Sequence, residues 1–305
     1  MDDSRETSGT GASKVVGIRR LKEPMPTPLK TRIITVANQK GGVGKTTTTV
    51  NIAAALAMGG LRVVVIDLDP QGNACTALGI DRKDIDGAFD VLVNGMAIEE
   101  VIRKVSGFPH LECVPADITL QHAEVNMASF VARELRLRSA LNTFLEGREA
   151  AGERIDYVII DCPPSLGLLT MNSLAAAHEI LIPIQCEYYS LEGVTLLKNT
   201  VDEITRAELN KNLVISTVVL TMFDSRTKLS TDVANDVRRH FPDQLIDIPV
   251  PRAVRVSEAP AFWQTVMTYD PGSPGAIAYM GIAREIARRG SGITNNNTNN
   301  GVHSA

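Results

Sequence analysis

The sequence predicts an α/β fold, a mainly parallel β-sheet with helices on both faces. Three observations predict it. Short β-branched runs alternate with helical patterns from about residue 32 to residue 289, the order that builds parallel sheets through right-handed crossovers. Several of those runs are apolar at every position instead of every second one, as strands covered on both faces must be. A glycine-rich loop also falls between the first strand and the first helix, and ligands of such sheets lie at the carboxyl ends of strands.

In chain order, the strand candidates are 32–37 (RIITVA), 61–66 (LRVVVI), 155–160 (IDYVII), 179–184 (EILIPI), 213–220 (LVISTVVL) and 245–249. Helical patterns fit 45–58, 129–146, 167–177, 190–209, 230–240 and 275–289. Residues 31–290 therefore read as a single α/β domain. Before it, residues 1–30 are rich in Ser, Thr, Gly and Pro and end in KEPMPTPLK. Prolines at alternate positions favour an extended, disordered leader, with a basic run at Arg19, Arg20 and Lys22. After it, SGITNNNTNNGVHSA (291–305) is polar low-complexity sequence and is expected to be a disordered tail.

Composition narrows the function. Of 305 residues, 44% are hydrophobic and 22% charged, the profile of a globular protein able to bury a full core. Aromatic residues make up only 4%, which argues against a base-stacking surface for single strands. A formal charge of −4 argues against a generally basic nucleic-acid binder, so any DNA contact needs a local patch. The cysteines (Cys75, Cys113, Cys162, Cys186) are widely spaced, which suits reduced thiols better than disulfides or a zinc site. The first residues lack an apolar signal core, and no apolar run is long enough to span a bilayer. A cytoplasmic protein is expected.

The loop VANQKGGVGKTTTTVN (36–51) carries the chemistry. Its Gly44-Lys45-Thr46 completes a phosphate-binding loop, although Gln39 occupies the place of the usual first glycine. Gly41, Gly42, Val43 and Gly44 would wrap backbone N–H groups round an anion at the helix start. Lys45 would neutralise β/γ-phosphate charge, the Thr46 hydroxyl would ligate Mg²⁺, and Thr47 would reach the α-phosphate. VVVIDLDPQGN ends one strand with Asp67 and Asp69, and YVIIDCPPS ends another with Asp161. Read singly, each aspartate is as well a helix cap or turn residue. Three of them on strands flanking the loop are placed to hold magnesium or orient a water.

KGGVGKTT, DLDPQGN and DCPPSLG together resemble the deviant Walker A, A′ and B motifs of the ParA/MinD family of ATPases. The resemblance runs from about residue 32 to residue 289 and is strongest to chromosomal ParA (Soj), with LTMFDSRTKLS and IPVPRAVRVSEAP also similar to segments of that subgroup. Cys162, where a small residue is usual, and Ala253, where Asn is common, are departures that remove no charged group. The resemblance implies ATP and Mg²⁺ as ligands and explains a second lysine in one loop. Lys40 resembles the signature lysine that crosses a dimer interface to the partner subunit's ATP. Asp69 would position or activate the attacking water, with Asp67 and Asp161 acting through the magnesium shell. Pro251 and Ala253 occupy places that contact the base. Cys162 is expected to be a small thiol packed behind the site.

The resemblance further implies a chromosome (or plasmid) partitioning ATPase. Its ATP-bound sandwich dimer would bind DNA non-specifically and be released when a ParB-type partner stimulates hydrolysis. Three other family tasks compete. A MinD-like membrane ATPase needs a basic amphipathic C-terminal helix, which the asparagine-rich tail cannot form. An electron-transfer iron protein needs cysteines paired across the dimer, and a tyrosine kinase usually carries a tyrosine-rich tail. Arg226 and Arg255 match DNA-binding positions of chromosomal relatives, and Arg252 and Lys228 stand beside them. Residues 221–258 hold as many acids as bases, six of each. A basic patch would therefore have to be made by the fold.

Overall fold

The computed structural model describes residues 23–187 and 192–293. Its strands are β1 (Arg32–Val36), β2 (Val63–Asp67), β3 (Arg103–Lys104), β4 (Leu111–Val114), β5 (Tyr157–Asp161), β6 (Glu179–Gln185), β7 (Val214–Thr221) and β8 (Leu245–Ile246). They form one sheet in the order β3-β4-β2-β5-β1-β6-β7-β8. All neighbours are parallel except β3 with β4. β1, β2 and β5, the middle of the sheet, are buried at every position, which is why their sequences show no polar alternation.

The main helices are α1 (Lys45–Met58), α2 (Arg136–Ala150), α3 (Leu168–Ala176), α4 (Glu192–Arg206), α5 (Lys228–His240) and α6 (Pro274–Gly290). Successive strand residues point to opposite faces, so Ile34 and Val36 join a core with α1 and α6 while Ile33 joins a second core with α2, α3, α4 and α5. In α1 the buried side chains Ala53, Ala54, Ala55 and Ala57 are small, which permits close packing of the helix. Among the described residues no helix is long and apolar enough to cross a membrane.

Three expectations change in the structure. β4 and its antiparallel neighbour β3 are additional strands; a four-residue run such as LECV carries too little pattern to stand out, and pairing with β2 makes it a strand. The helix expected over 129–146 runs over Arg136–Ala150 instead. Ala132 is left-handed (φ +53), which interrupts the helix, and the first turn of α2 is fixed from outside, the Leu137 N–H donating to Asn172 Oδ1 at 3.1 Å. β8 is shorter than 245–249, because the chain leaves it so that Val250 N–H donates to Leu220 O at 2.8 Å.

The expected leader also ends earlier than residue 30. Met25 is buried, its backbone N–H donates to Gly59 O at 2.9 Å, and a Cβ on Gly59 would stand 2.5 Å from the Met25 side chain. Pro28 and Leu29 carbonyls accept from Arg154, and Leu29 N–H donates to Gly290 O. The leader's residues 1–22 and the tail's 294–305 lie outside the described residues. Met25→Ala is expected to destabilise the domain by about 2–3 kcal/mol, the usual cost of emptying a buried methionine site. Thermal unfolding checks this, and an unchanged midpoint would return Met25 to the leader.

Candidate nucleotide site

Strand register assembles the site. Asp161 at the end of β5 stands opposite both Val36 of β1 and Asp67 of β2, so the loop after β1 and two aspartates meet at one edge of the sheet. The loop is bent by Gly42 (φ +74) and Gly44 (φ +88), conformations that cost glycine nothing. A Cβ on Gly41 or Gly42 would meet no atom within 4 Å, and both glycines are exposed. Two side chains outside the motif pin the loop. Asn38 Nδ2 donates to Pro183 O (2.9 Å), Asn38 Oδ1 accepts from Lys40 N–H (3.0 Å), and Thr221 Oγ1 donates to Val43 O (2.8 Å).

Lys45 is buried, and its Nζ donates to the Lys40 carbonyl at 3.2 Å. Burial lowers its pKa, against which the Asp161 charge acts. Thr46 Oγ1 donates to Asp161 Oδ2 at 2.7 Å and Thr49 Oγ1 to Asp161 Oδ1 at 3.1 Å. Burial pushes the Asp161 carboxyl up to about 7, although both threonines favour its charge. Asp67 is also wholly buried. Its Oδ1 accepts from Asp69 N–H (3.1 Å) and its Oδ2 from Cys75 N–H (3.1 Å), and desolvation holds its pKa well above the carboxylate range. Burial disfavours the charged form of both carboxyls, with Lys45 the buried ammonium beside Asp161, so a cation held between them would favour their ionisation. The donors nearby are hydroxyl and carboxylate oxygens, the set that a hard divalent cation such as Mg²⁺ prefers. Thr46, Asp67 and Asp161 therefore fit that ion.

Asp69 is partly exposed, with Oδ1 accepting from Gln71 N–H at 3.0 Å, and its charge acts on both Asp161 and Lys45. Thr47 and Thr46 line one wall of a cavity of about 250 Å³ that continues to Asn73, Val256, Pro260 and Gln264. Pro251 pairs with Phe223 beyond β7, and Ala253 caps the short helix Val254–Glu258. Met222, next to Phe223, is left-handed at φ +51, and its Cε lies 4.0 Å from a Cβ on Gly44. A larger groove of about 810 Å³ along α2 shares no residue with the loop.

Lys40 makes its ion pair outside its own loop. Its Nζ lies 3.7 Å from Glu187 Oε2, with a third of the side chain exposed. Glu187 also accepts from Arg252 Nη2 at 3.1 Å and from Gln185 Nε2 at 2.7 Å. Arg226, 87% exposed, forks onto Asp224, and Arg255 pairs with Glu258 and Asp270 above the Tyr269 ring. Lys228 begins α5, whose Arg238 and Arg239 pair with Asp247 and Asp236. The fold thus turns Arg226, Arg252 and Arg255 outward, each with an acidic partner, and no net-basic patch results from these contacts. Cys162 is buried with Sγ 2.8 Å from Ser173 Oγ, the packed thiol expected.

Asn38, Thr221, Met222 and Glu187 carry no motif. Only their distant pairing partners mark them, which one sequence cannot display.

Residues 31–215 match the family model of an AAA domain. The sequence is 45% identical over 260 residues to the sporulation initiation inhibitor protein Soj of Bacillus subtilis (strain 168), covering 85% of this chain and 99% of that protein. The chain belongs to the ParA/MinD family. To the chromosome partitioning protein ParA of Myxococcus xanthus (strain DK1622) this ParA/MinD protein is 46% identical over 259 residues, 85% of this chain and 88% of that one. Its fold superposes with a TM-score of 0.72 and 35% identity on the crystal structure of cobyrinic acid a,c-diamide synthase from Mycobacterium smegmatis with bound ADP and magnesium, covering 85% of this chain and 95% of that one.

Proposed function

We propose that this partitioning ATPase works as an ATP-switched dimer in the cytoplasm, bound to nucleoid DNA in its ATP state and released when a ParB-type partner stimulates hydrolysis. The observation that carries the reading is the divergence of two lysines in one loop. Lys45 is folded in beside Asp161, while Lys40 pairs with Glu187 outside the loop. A cation held outside its own phosphate cradle suits a second subunit's nucleotide. Two facing ATP molecules bring about eight negative charges together, and each needs more positive charge than Lys45 alone supplies.

Each residue then has a task. The backbone of Gly41, Gly42, Val43 and Gly44 and the start of α1 hold the β- and γ-phosphates, with Lys45 placed against them. Thr46, Asp161 and Asp67 would hold Mg²⁺, which would supply positive charge against the phosphates during transfer. Thr47 reaches the α-phosphate, and Pro251 and Ala253 border the base. Asp69, half in water, is placed to orient the attacking water. Lys40 stabilises charge on the partner's transferring phosphoryl group. The iron-protein reading loses ground here, because Cys75, Cys113, Cys162 and Cys186 are all buried.

DNA binding by Arg226, Arg252 and Arg255 requires that each leave its acid. Exposed ion pairs of this kind are worth only about 0–1 kcal/mol, so phosphate oxygens can replace the carboxylates at little cost. Arg255→Glu is expected to abolish ATP-dependent DNA binding and leave dimerisation intact, while Arg226→Glu weakens binding. Contacts to phosphate also demand a steep fall of affinity with salt and little dependence on sequence. Binding to two unrelated duplexes, with ATP and with ADP across a salt series, tests this. Equal affinity in ADP and ATP, or wild-type binding by Arg255→Glu, would remove the proposed patch.

A further inference from the structure

Asp67 is held twice by one residue. Cys75 lies in the first turn after the loop that follows β2, wholly buried, and its backbone N–H donates to Asp67 Oδ2 at 3.1 Å. Its Sγ stands 3.2 Å from the same oxygen. The sulfur is the donor in that contact and the acceptor in a third, from Ala116 N–H just beyond β4 at 3.3 Å. Cys113 is the other thiol that acts on it. Asp69 N–H holds the other oxygen. The carboxylate is gripped on both sides, so its rotation is fixed by backbone N–H groups and one thiol.

A buried cysteine is ordinarily a small hydrophobic filler, and Cys75 does pack in the core on the α1 side. Filling space does not require the sulfur to sit between a donor and a carboxylate. Nor does it require that the carboxylate be one of the three strand-end aspartates of the nucleotide site. We infer that Cys75 is a positioning residue for the magnesium site, its thiol donating to Asp67 so that the carboxylate's orientation is set before nucleotide arrives. This rests on the reading of Thr46, Asp67 and Asp161 as the magnesium-holding set. Residues that hydrogen-bond to metal-holding carboxylates typically change metal affinity by about 10–100-fold when removed. Cys75 acts behind Asp67, so the lower end of that range is expected.

The test measures binding of a fluorescent ATP analogue across a Mg²⁺ titration and in EDTA, with thermal unfolding recorded for each variant. Cys75→Ala should raise the Mg²⁺ concentration at half-saturation by about tenfold and leave affinity in EDTA unchanged. Cys75→Ser restores a proton donor and should lie near wild type. Cys75→Val refills the volume without a donor and should behave like Cys75→Ala, keeping the test open should the alanine variant fold poorly. A Mg²⁺ midpoint that stays at the wild-type value in Cys75→Ala or Cys75→Val overturns the inference and leaves a packing role. If the wild type itself shows no gain from Mg²⁺, the magnesium reading fails, and this inference with it.

Discussion

Lys40→Ala is expected to bind ATP within about threefold of wild type and to lose hydrolysis on the order of 10³-fold, measured with DNA and the ParB-type partner present, the scale of removing an arginine finger. The loss corresponds to about 4 kcal/mol of transition-state stabilisation. The asymmetry follows from where the two lysines point. Lys45 is buried in its own loop beside Asp161, so Lys45→Ala should lose nucleotide binding together with hydrolysis. Lys40 gives its carbonyl to Lys45 and its ammonium to Glu187, and an alanine keeps the carbonyl. Nucleotide affinity and stimulated hydrolysis, measured side by side, separate the two. Wild-type turnover in Lys40→Ala would end the role in trans.

Asp69→Ala is expected to slow hydrolysis about 10²-fold, the lower range for a positioned proton acceptor, while the ATP dimer accumulates. The phosphate cradle lies on β1 and α1, and Asp69 contributes to neither. Its hydrogen bonds serve the turn after β2, where Oδ1 accepts from Gln71 N–H and its carbonyl from Gly72 N–H. None of these hydrogen bonds reaches the loop 38–46, where only the Asp69 charge acts, on Lys45. Size exclusion or light scattering with ATP and Mg²⁺ should show a longer-lived dimer than wild type. A variant that stays monomeric under saturating ATP would move Asp69 from hydrolysis to assembly.

How much of this was legible in the sequence depends on how local its cause is. Gly41, Gly42, Gly44, Lys45 and Thr46 are adjacent, and the bends they need are made by their own backbones, so KGGVGKTT announced the loop unaided. The strands 32–37, 155–160 and 179–184 were legible because burial on both faces leaves continuous apolar runs. β4 was not, because four residues hold no period and only the neighbouring edge of β2 makes them a strand.

The mixed charge of 221–258 was legible, but its arrangement was not. Which acid meets which arginine is settled by side chains as far apart as Glu187 and Arg252, which only the folded chain brings to 3.1 Å. The two lysines show the division most clearly. Sequence determined that this chain carries a deviant nucleotide loop with one lysine more than a single phosphate site needs. Tertiary structure alone decided their directions. Asp161 enters from a strand 115 residues away from Thr46 to face Lys45, and Glu187 comes from the end of β6 to meet Lys40. A side chain's direction depends on charges that folding brings beside it, and those charges are distant in the chain.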